Sequence, residues 1–230
     1  MKKTILLFSA LLIFGNLSAQ DKAALVNPII GTNGMGHTFP GACVPFGLVQ
    51  LSPDTDTIPH NVDGKYQPRA YEYCAGYQHK DSSIVGFSHT HFSGTGHSDL
   101  GDILIMPATG ELKLNPGTAT DPDGGYRSRF SHDTEVSRPG YYEVMLADYG
   151  VKAQLTATKR VGVHKYTFPK EAKNQRIILD MIHGIYNYDG KVLWTNIRVE
   201  NDTLVTGYRI TNGWARTNYT YFAMSFSKPV

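Results

Sequence analysis

Apolar and polar residues alternate along the second half of the chain, from Tyr126 onward. This period of two is typical of β-strands that bury one face. Two such runs flank the turn signal Asp148-Tyr149-Gly150 and predict a hairpin. The apolar positions are Tyr142, Val144 and Leu146 in the first strand and Val151, Ala153, Leu155 and Ala157 in the second.

Five further segments alternate in the same way, at residues 163–168, 176–181, 192–199, 203–210 and 220–226. Glu200-Asn201-Asp202 is a hairpin turn between two of them. Outside the first twenty residues, no window of helical length has a 3.6-residue period. The pattern therefore predicts an all-β fold, a two-sheet antiparallel β-sandwich.

The preceding hundred residues have a different pattern. They are rich in Gly, Pro, His and Asp, with short apolar segments at 48–51, 84–87 and 103–106 that predict short strands. Glycine-rich polypeptide ahead of a regular sandwich predicts long Gly/His-rich loops on one of its surfaces. A mature length of about 210 residues suits one domain with a substantial core.

Residues 1–19 have the pattern of a secretory signal peptide. Lys2 and Lys3 precede the apolar segment 5–14, and Leu17-Ser18-Ala19 forms the cleavage region. The apolar segment of about ten residues is half the length that an anchoring helix needs. We expect an exported protein, periplasmic or extracellular, without membrane insertion.

Charge and cysteine content narrow the possible partners. The formal net charge of +2 falls to zero when the leader and its two lysines are removed, which argues against nucleic acid and anionic membranes as partners. Cys43 and Cys74 are the only cysteines. An oxidising compartment permits a disulfide between them, and two buried free thiols are the alternative.

The richest chemistry lies in two glycine-rich runs. The run 86–102 holds three histidines, four glycines and two aspartates, with Phe87, Phe92 and Leu100 spaced among them. This composition indicates a site-forming loop anchored by its own apolar side chains. The run 27–55 has the same character and includes Gly34-Met35-Gly36-His37-Thr38-Phe39-Pro40-Gly41 and Val44-Pro45-Phe46-Gly47.

In this order, the two runs resemble the start of family 92 glycoside hydrolases, the calcium-dependent, exo-acting α-mannosidases, and a weaker resemblance extends from about Val26 over most of the chain. It implies that residues 20–230 are an N-terminal β-sandwich, followed in the family by a larger (α/α)6 barrel. The barrel carries both carboxylates of the inverting mechanism and most groups around calcium. No such motif occurs in residues 1–230, so we expect this chain alone to be inactive and calcium to belong to the complete enzyme.

Sugar hydroxyls are recognised by short polar side chains and exposed backbone, and an aromatic ring covers an apolar sugar face. The two runs offer this mixture, and we expect them to position a mannose-containing glycan at an interface with the barrel. The alternative is that these side chains only tie the loops together. The candidates are Gly36, His37, His89, His91, Ser93, Gly94, Thr95, Gly96, His97, Asp99 and Tyr73.

Two other functions remain open on the sequence. One is a stand-alone carbohydrate-binding module. The other is a metallo-hydrolase that binds zinc through His89, His91, His97 and Asp99, because i and i+2 side chains share a strand face. The resemblance favours calcium, which prefers oxygen ligands, so we expect neither zinc nor tightly held calcium on this chain by itself.

Aromatic residues outside the two runs also have two interpretations. Tyr66, Tyr71, Tyr73 and Tyr77 either line a sugar subsite or pack under a long loop. Trp194 and Trp214 lie in or beside predicted strands, where we expect core or interface positions.

Overall fold

The computed structural model describes residues 21–55, 58 and 61–229, and the predicted signal peptide lies outside these residues. The strands are β1 (Ala42–Cys43), β2 (Gln50–Asp54), β3 (Asn61–Val62), β4 (Lys65–Tyr66), β5 (Ser83–Ile84), β6 (Gly86–Ser88), β7 (Leu104–Ala108), β8 (Ser128–Arg129), β9 (Val136–Arg138), β10 (Tyr141–Leu146), β11 (Val151–Ala157), β12 (Gly162–Thr167), β13 (Arg176–Asp180), β14 (Val192–Asn201), β15 (Leu204–Thr211) and β16 (Asn218–Ser225). Short 3₁₀ helices cover Lys22–Leu25, Pro68–Tyr73, Pro122–Gly124 and His132–Thr134. None of the described helices has the length and apolar character needed to cross a membrane.

Two antiparallel sheets form a sandwich around the core. One has the strand order β1-β2-β6-β7-β13 and the other β12-β11-β10-β9. The core joins Leu51, Phe87, Leu104 and Met106 of the first sheet to Tyr142, Val144, Leu146, Val151, Ala153 and Leu155 of the second. The predicted all-β, antiparallel fold is confirmed.

The predicted hairpin is β10–β11. Its register pairs Tyr142 with Leu155 and Val144 with Ala153. The apolar face of each strand is buried and the intervening side chains are more exposed. Local alternation located this face correctly because both strands have a single buried side.

A third sheet has the order β14-β15-β16 and contributes no residue to the main apolar core. The three strands were predicted, but a two-sheet description omits this separate sheet. Register shifts in β14 between Val192 and Trp194 and between Val199 and Asn201 interrupt the alternation of faces. Trp194 is 61% exposed, so a core position for it is wrong.

The glycine-rich half contains the short strands, and one prediction there was too simple. The segment 84–87 divides at Val85, because Ile84 pairs with Ser128 in the small β5–β8 sheet while Gly86 pairs with Asp54 in the larger one. Cys43 and Cys74 are both free thiols, and Cys74 is buried. The structure therefore selects free thiols over a disulfide.

Candidate functional site

A buried carboxylate lies where the two glycine-rich runs meet. Asp54 ends β2 and is fully buried, and each of its oxygens faces an imidazole. Nε2 of His91 lies 2.9 Å from Oδ1, and Nε2 of His183 lies 3.0 Å from Oδ2. The carboxylate thereby joins the run 86–102 to the loop after β13.

Charge complementarity keeps this carboxyl ionised. Burial by itself would raise the pKa of Asp54, but the attraction and hydrogen bonds of His91 and His183 outweigh it and hold the pKa well below its usual range. Gly76 makes room for this arrangement. Its φ is +77°, and a Cβ atom there would overlap Oδ1 of Asp54.

His91 is fixed on every side. Its Nδ1 lies 2.7 Å from the carbonyl oxygen of Gln50, and its backbone N–H donates to the Gln50 side chain at 3.1 Å. The ring of Phe39 lies against the imidazole, with centroids 5.3 Å apart. Since both ring nitrogens face oxygen acceptors, His91 anchors the loop.

A second buried ion pair connects the same run to the region around the third sheet. Lys191 donates to Oδ1 of Asp99 at 2.7 Å, and the backbone N–H of Trp214 donates to Oδ2 at 2.9 Å. Burial by itself would raise the pKa of Asp99, but Lys191 and the backbone donors lower it overall. Asp99 therefore positions the backbone that carries the Trp214 side chain.

A third buried ion pair reinforces this connection. Nε of Arg209, on β15, donates to Oδ1 of Asp102 at 2.8 Å, and Thr90 donates to Oδ2 at 2.7 Å. Arg209 also donates to the carbonyl oxygen of His183. Removing one partner from such a buried pair typically costs about 3–5 kcal/mol.

Two residues of these networks, His183 and Lys191, line an open cleft of about 1110 Å³. Its lining includes His97, His183, Tyr186, Tyr188, Lys191 and Trp214. Trp214 is 75% exposed, and His97 meets its ring edge-on with centroids 4.3 Å apart. The cleft therefore combines an accessible aromatic ring with nearby polar groups, a composition that suits a small polar ligand.

The sequence of the described fold matches one protein family over nearly its whole length. The model of the glycosyl hydrolase family 92 N-terminal domain covers residues 25–230. The chain belongs to this family.

Solved structures of family 92 share the fold of this domain. A family GH92 α-mannosidase from Bacteroides thetaiotaomicron, solved in complex with mannoimidazole, is 46% identical with a TM-score of 0.81, over 90% of this chain and 25% of its own. The family GH92 inverting mannosidase from Bacteroides thetaiotaomicron VPI-5482 is 28% identical with a TM-score of 0.67, over 93% of this chain and 26% of its own.

A curated relative from Arthroderma benhamiae is described as an uncharacterized secreted glycosidase. It is 30% identical over 158 residues, which is 65% of this chain and 18% of the relative. The family 92 domain described here thus spans about a quarter of the solved relatives and less of the fungal one.

The structure distributes the predicted sugar-binding residues between interior and surface. His37, His91, Asp99 and Tyr73 are buried, and Tyr73 donates to Asp81 at 3.1 Å. His97 is half-buried in the cleft. The exposed residues are Gly36, Ser93, Gly94, Thr95 and Gly96.

The exposed loop tip joins the two runs. The backbone N–H of Gly94 donates to the carbonyl oxygen of His37 at 2.6 Å. A Cβ atom at Gly96 would overlap the hydroxyl of Tyr71. Gly96 thus allows close packing of the loop against Tyr71, and Gly94 exposes the backbone at the tip while it bonds to the first run.

The imidazole of His89 is held by contacts within the fold. Its Nδ1 lies 2.7 Å from the carbonyl oxygen of Ile103, and its Nε2 lies 3.0 Å from Nε2 of His164. Nδ1 of His164 in turn lies 2.7 Å from the hydroxyl of Tyr166. Both ring nitrogens of His89 are therefore used within the sandwich.

The described residues do not assemble the zinc set suggested by the histidine-rich run. His89 pairs with His164, His91 with Asp54 and Asp99 with Lys191, so these groups have separate partners. Calcium does not fit the aspartates of the run either. Both oxygens of Asp99 and of Asp102 already accept hydrogen bonds, and each carboxylate is paired with a cation.

Sequence reasoning missed the residues that complete these networks: Asp54, His183, Lys191 and Arg209. Asp54 carried a signal, because it is an acidic residue at the end of a buried strand within one of the quoted runs. His183 is separated from Asp54 by 129 positions, and no local pattern relates them. Trp214 was noted but expected in the core or at an interface, and its exposed position in the cleft was not foreseen.

Proposed function

We propose that this chain is the substrate-positioning, carbohydrate-binding domain of an exported, exo-acting, inverting α-mannosidase that removes mannose from glycans. The observation that carries the proposal is the exposed ring of Trp214 beside His97 in the cleft. The cleft offers an aromatic surface for a sugar face and polar groups for its hydroxyls. Family membership and the resemblance to solved α-mannosidases support mannose as the sugar.

Rigidity of the cleft supports a positioning role. Asp99 is held by buried Lys191 and accepts the backbone N–H of Trp214, while His183 is held by Asp54. Side chains placed by buried ion pairs have little freedom to reorient. Such preorganisation matters for catalysis, because displacement of a substrate by about an ångström costs on the order of a hundredfold in rate.

Catalysis is assigned to the remainder of a longer enzyme. An inverting glycosidase needs an acid and a base set roughly 6.5–9.5 Å apart, with room for water. Around the cleft, Asp54 and Asp99 are held ionised by cationic or imidazole partners, so neither is placed to protonate a leaving group. We place the catalytic carboxylates and the calcium ion in the barrel.

The exposed side chains of the third sheet support the proposal that the barrel docks against this domain. The register places three exposed aromatic residues on one face of this sheet, with Trp194 and Tyr219 on either side of Ile210 and Tyr221 two positions further along, and a domain standing alone seldom leaves such a surface in water. The solved relatives extend to about four times the length of the matching region. Aromatic residues are favoured at such contacts. The patch residues are Trp194, Tyr219 and Tyr221, whereas Ile197 and Val199 are exposed on the opposite face.

Tryptophan fluorescence tests sugar binding directly, because the chain has two tryptophans. In Trp194→Phe the remaining tryptophan is Trp214, so titration with α-linked mannobiose should change the emission in a saturable way. In the matched variant Trp214→Phe the remaining Trp194 should give no response. A response confined to Trp194, or none in either variant, would contradict the assignment of the cleft.

An assay of mannose release tests the proposal that this domain positions the substrate and the barrel carries the catalytic groups. The full chain should release none from α-linked mannobiose above a purified blank, with or without calcium. When joined to a family 92 barrel, the chain should support release, and Trp214→Ala should raise KM with an unchanged melting temperature. Release by the chain alone would overturn the placement of the catalytic groups.

A further inference from the structure

Two histidines and a glutamate meet on the sandwich, and none of them is among the residues that line the cleft. The 3₁₀ helix His132–Thr134 is capped by Ser131, whose side chain accepts the N–H of Asp133. Glu135 follows the helix as its C-cap, three positions after His132. The Nδ1 atom of His132 lies 2.7 Å from Oε2 of Glu135.

The third member comes from a distant part of the chain. The backbone N–H of His79 donates to the carbonyl oxygen of Thr32 at 2.8 Å, which fixes the loop. Its imidazole lies beside that of His132, with ring centroids 4.0 Å apart. One ligand atom from each of His79, His132 and Glu135 lies within 4.8 Å of the other two.

Two buried tyrosines orient the carboxylate. Tyr142 donates to Oε1 of Glu135 at 2.6 Å, and Tyr77 donates to the same oxygen at 2.9 Å. Hydrogen bonds from outer groups to a carboxylate are a regular feature of metal sites, where they fix the orientation of the ligand.

We propose that His79, His132 and Glu135 bind a divalent transition-metal ion of the zinc class. Two imidazoles and one carboxylate suit zinc, with water as a fourth ligand. The imidazoles disfavour calcium, which prefers oxygen ligands. The Glu135 side chain is 3% exposed and that of His132 is 37% exposed, so the site has a buried, oriented base and an open side for the ion and water.

The two histidines and the glutamate compete for the same hydrogen-bond partners, which explains why a bound ion stabilises the cluster. The phenolic proton of Tyr77 is directed to Glu135, and its hydroxyl lies 3.5 Å from Nδ1 of His79. The two adjacent imidazoles therefore have few hydrogen-bond donors and acceptors between them. A cation accepts a lone pair from each imidazole and one from the carboxylate.

Calorimetric titration of the metal-free full chain with Zn²⁺ tests the proposal. We expect one equivalent to bind, and Co²⁺ in its place should give the visible absorption of a tetrahedral site. His132→Ala and His79→Ala should each weaken binding by at least tenfold, on the order seen for altered metal-site ligand shells. His97→Ala, a histidine in the cleft, is the matched control and should bind as the wild type does.

The orienting hydrogen bond gives a second, milder test. Tyr142→Phe keeps the ring in the core and removes the hydroxyl, so zinc affinity should fall about ten- to a hundredfold while the melting temperature shows that the chain is folded. Absence of a Zn²⁺ equivalent in the wild type would overturn the proposal. So would loss of binding in His97→Ala with retention in His132→Ala, which would place the metal in the histidine-rich run.

Discussion

Gly76 shows how one backbone conformation decides the environment of a buried charge. Its φ of +77° lies in the left-handed region, and its missing side chain leaves the space that Oδ1 of Asp54 occupies. The same oxygen receives Nε2 of His91 at 2.9 Å. A side chain at this position would therefore strain the backbone and also displace the carboxylate from its partner.

We predict that Gly76→Ala lowers the free energy of unfolding by more than about 3 kcal/mol, because backbone strain and steric overlap add. Gly110→Ala is the matched control. Gly110 has the same φ of +77°, and among the described residues no atom other than those of its chain neighbours lies within 4 Å of the point that a Cβ atom would occupy there, so it should lose about 1 kcal/mol. Urea denaturation of both variants measures the difference, and equal losses would show that the contact with Asp54 is unimportant.

At the scale of elements, paired histidines connect the two sheets of the sandwich. His164 lies on β12 and His89 follows β6, and their Nε2 atoms are 3.0 Å apart. One ring donates and the other accepts, which requires the accepting ring to be neutral. Burial lowers the pKa of both residues, and for His164 the neighbouring His89 lowers it further.

This pair predicts loss of stability in mild acid. Since both pKa values are lower in the folded state than the usual value of about 6.5, the unfolded chain binds more protons below that pH, and the free energy of unfolding falls between pH 7 and pH 5. Asp54, whose pKa is lowered, adds no slope in this window. His164→Gln should flatten the decline, measured by urea denaturation at each pH. His97→Gln should retain it, and an unchanged slope in His164→Gln would contradict this assignment.

At the scale of the whole molecule, the chain has a well-buried sandwich and a less buried third sheet. The core includes β10 and β11, whereas β14 is largely exposed. Arg209 and Asp102 form a buried ion pair between β15 and the glycine-rich run. The third sheet is therefore attached through polar contacts more than through a continuous apolar core.

This organisation predicts uneven protection of backbone amides. Hydrogen exchange should be slowest in β10 and β11 and faster in β14 and β16, because local opening of an exposed sheet breaks few apolar contacts. Arg209→Met should accelerate exchange in β14–β16 and leave β10–β11 nearly unchanged. Uniform exchange across the three sheets would show that they open as one unit.

Local patterns predicted much of the fold for a simple reason. A strand with one buried side carries its period of two in adjacent residues, and β10 and β11 satisfy this condition. Where the condition fails, the segments were still predicted as strands, but their pairing and their buried faces were not. The segment 84–87 changes sheet at Val85, and register shifts in β14 disrupt the alternation of its faces.

The sequence by itself determined the hairpin faces, the all-β class and the family resemblance, because each depends on neighbouring residues or on an ordered motif. Only the tertiary structure placed His183 on Asp54, 129 positions away, and His79 beside His132. It also placed Trp214 at the surface of the cleft. These contacts arise from strand pairing and buried charge, whose energies depend on residues that meet only after the chain has folded.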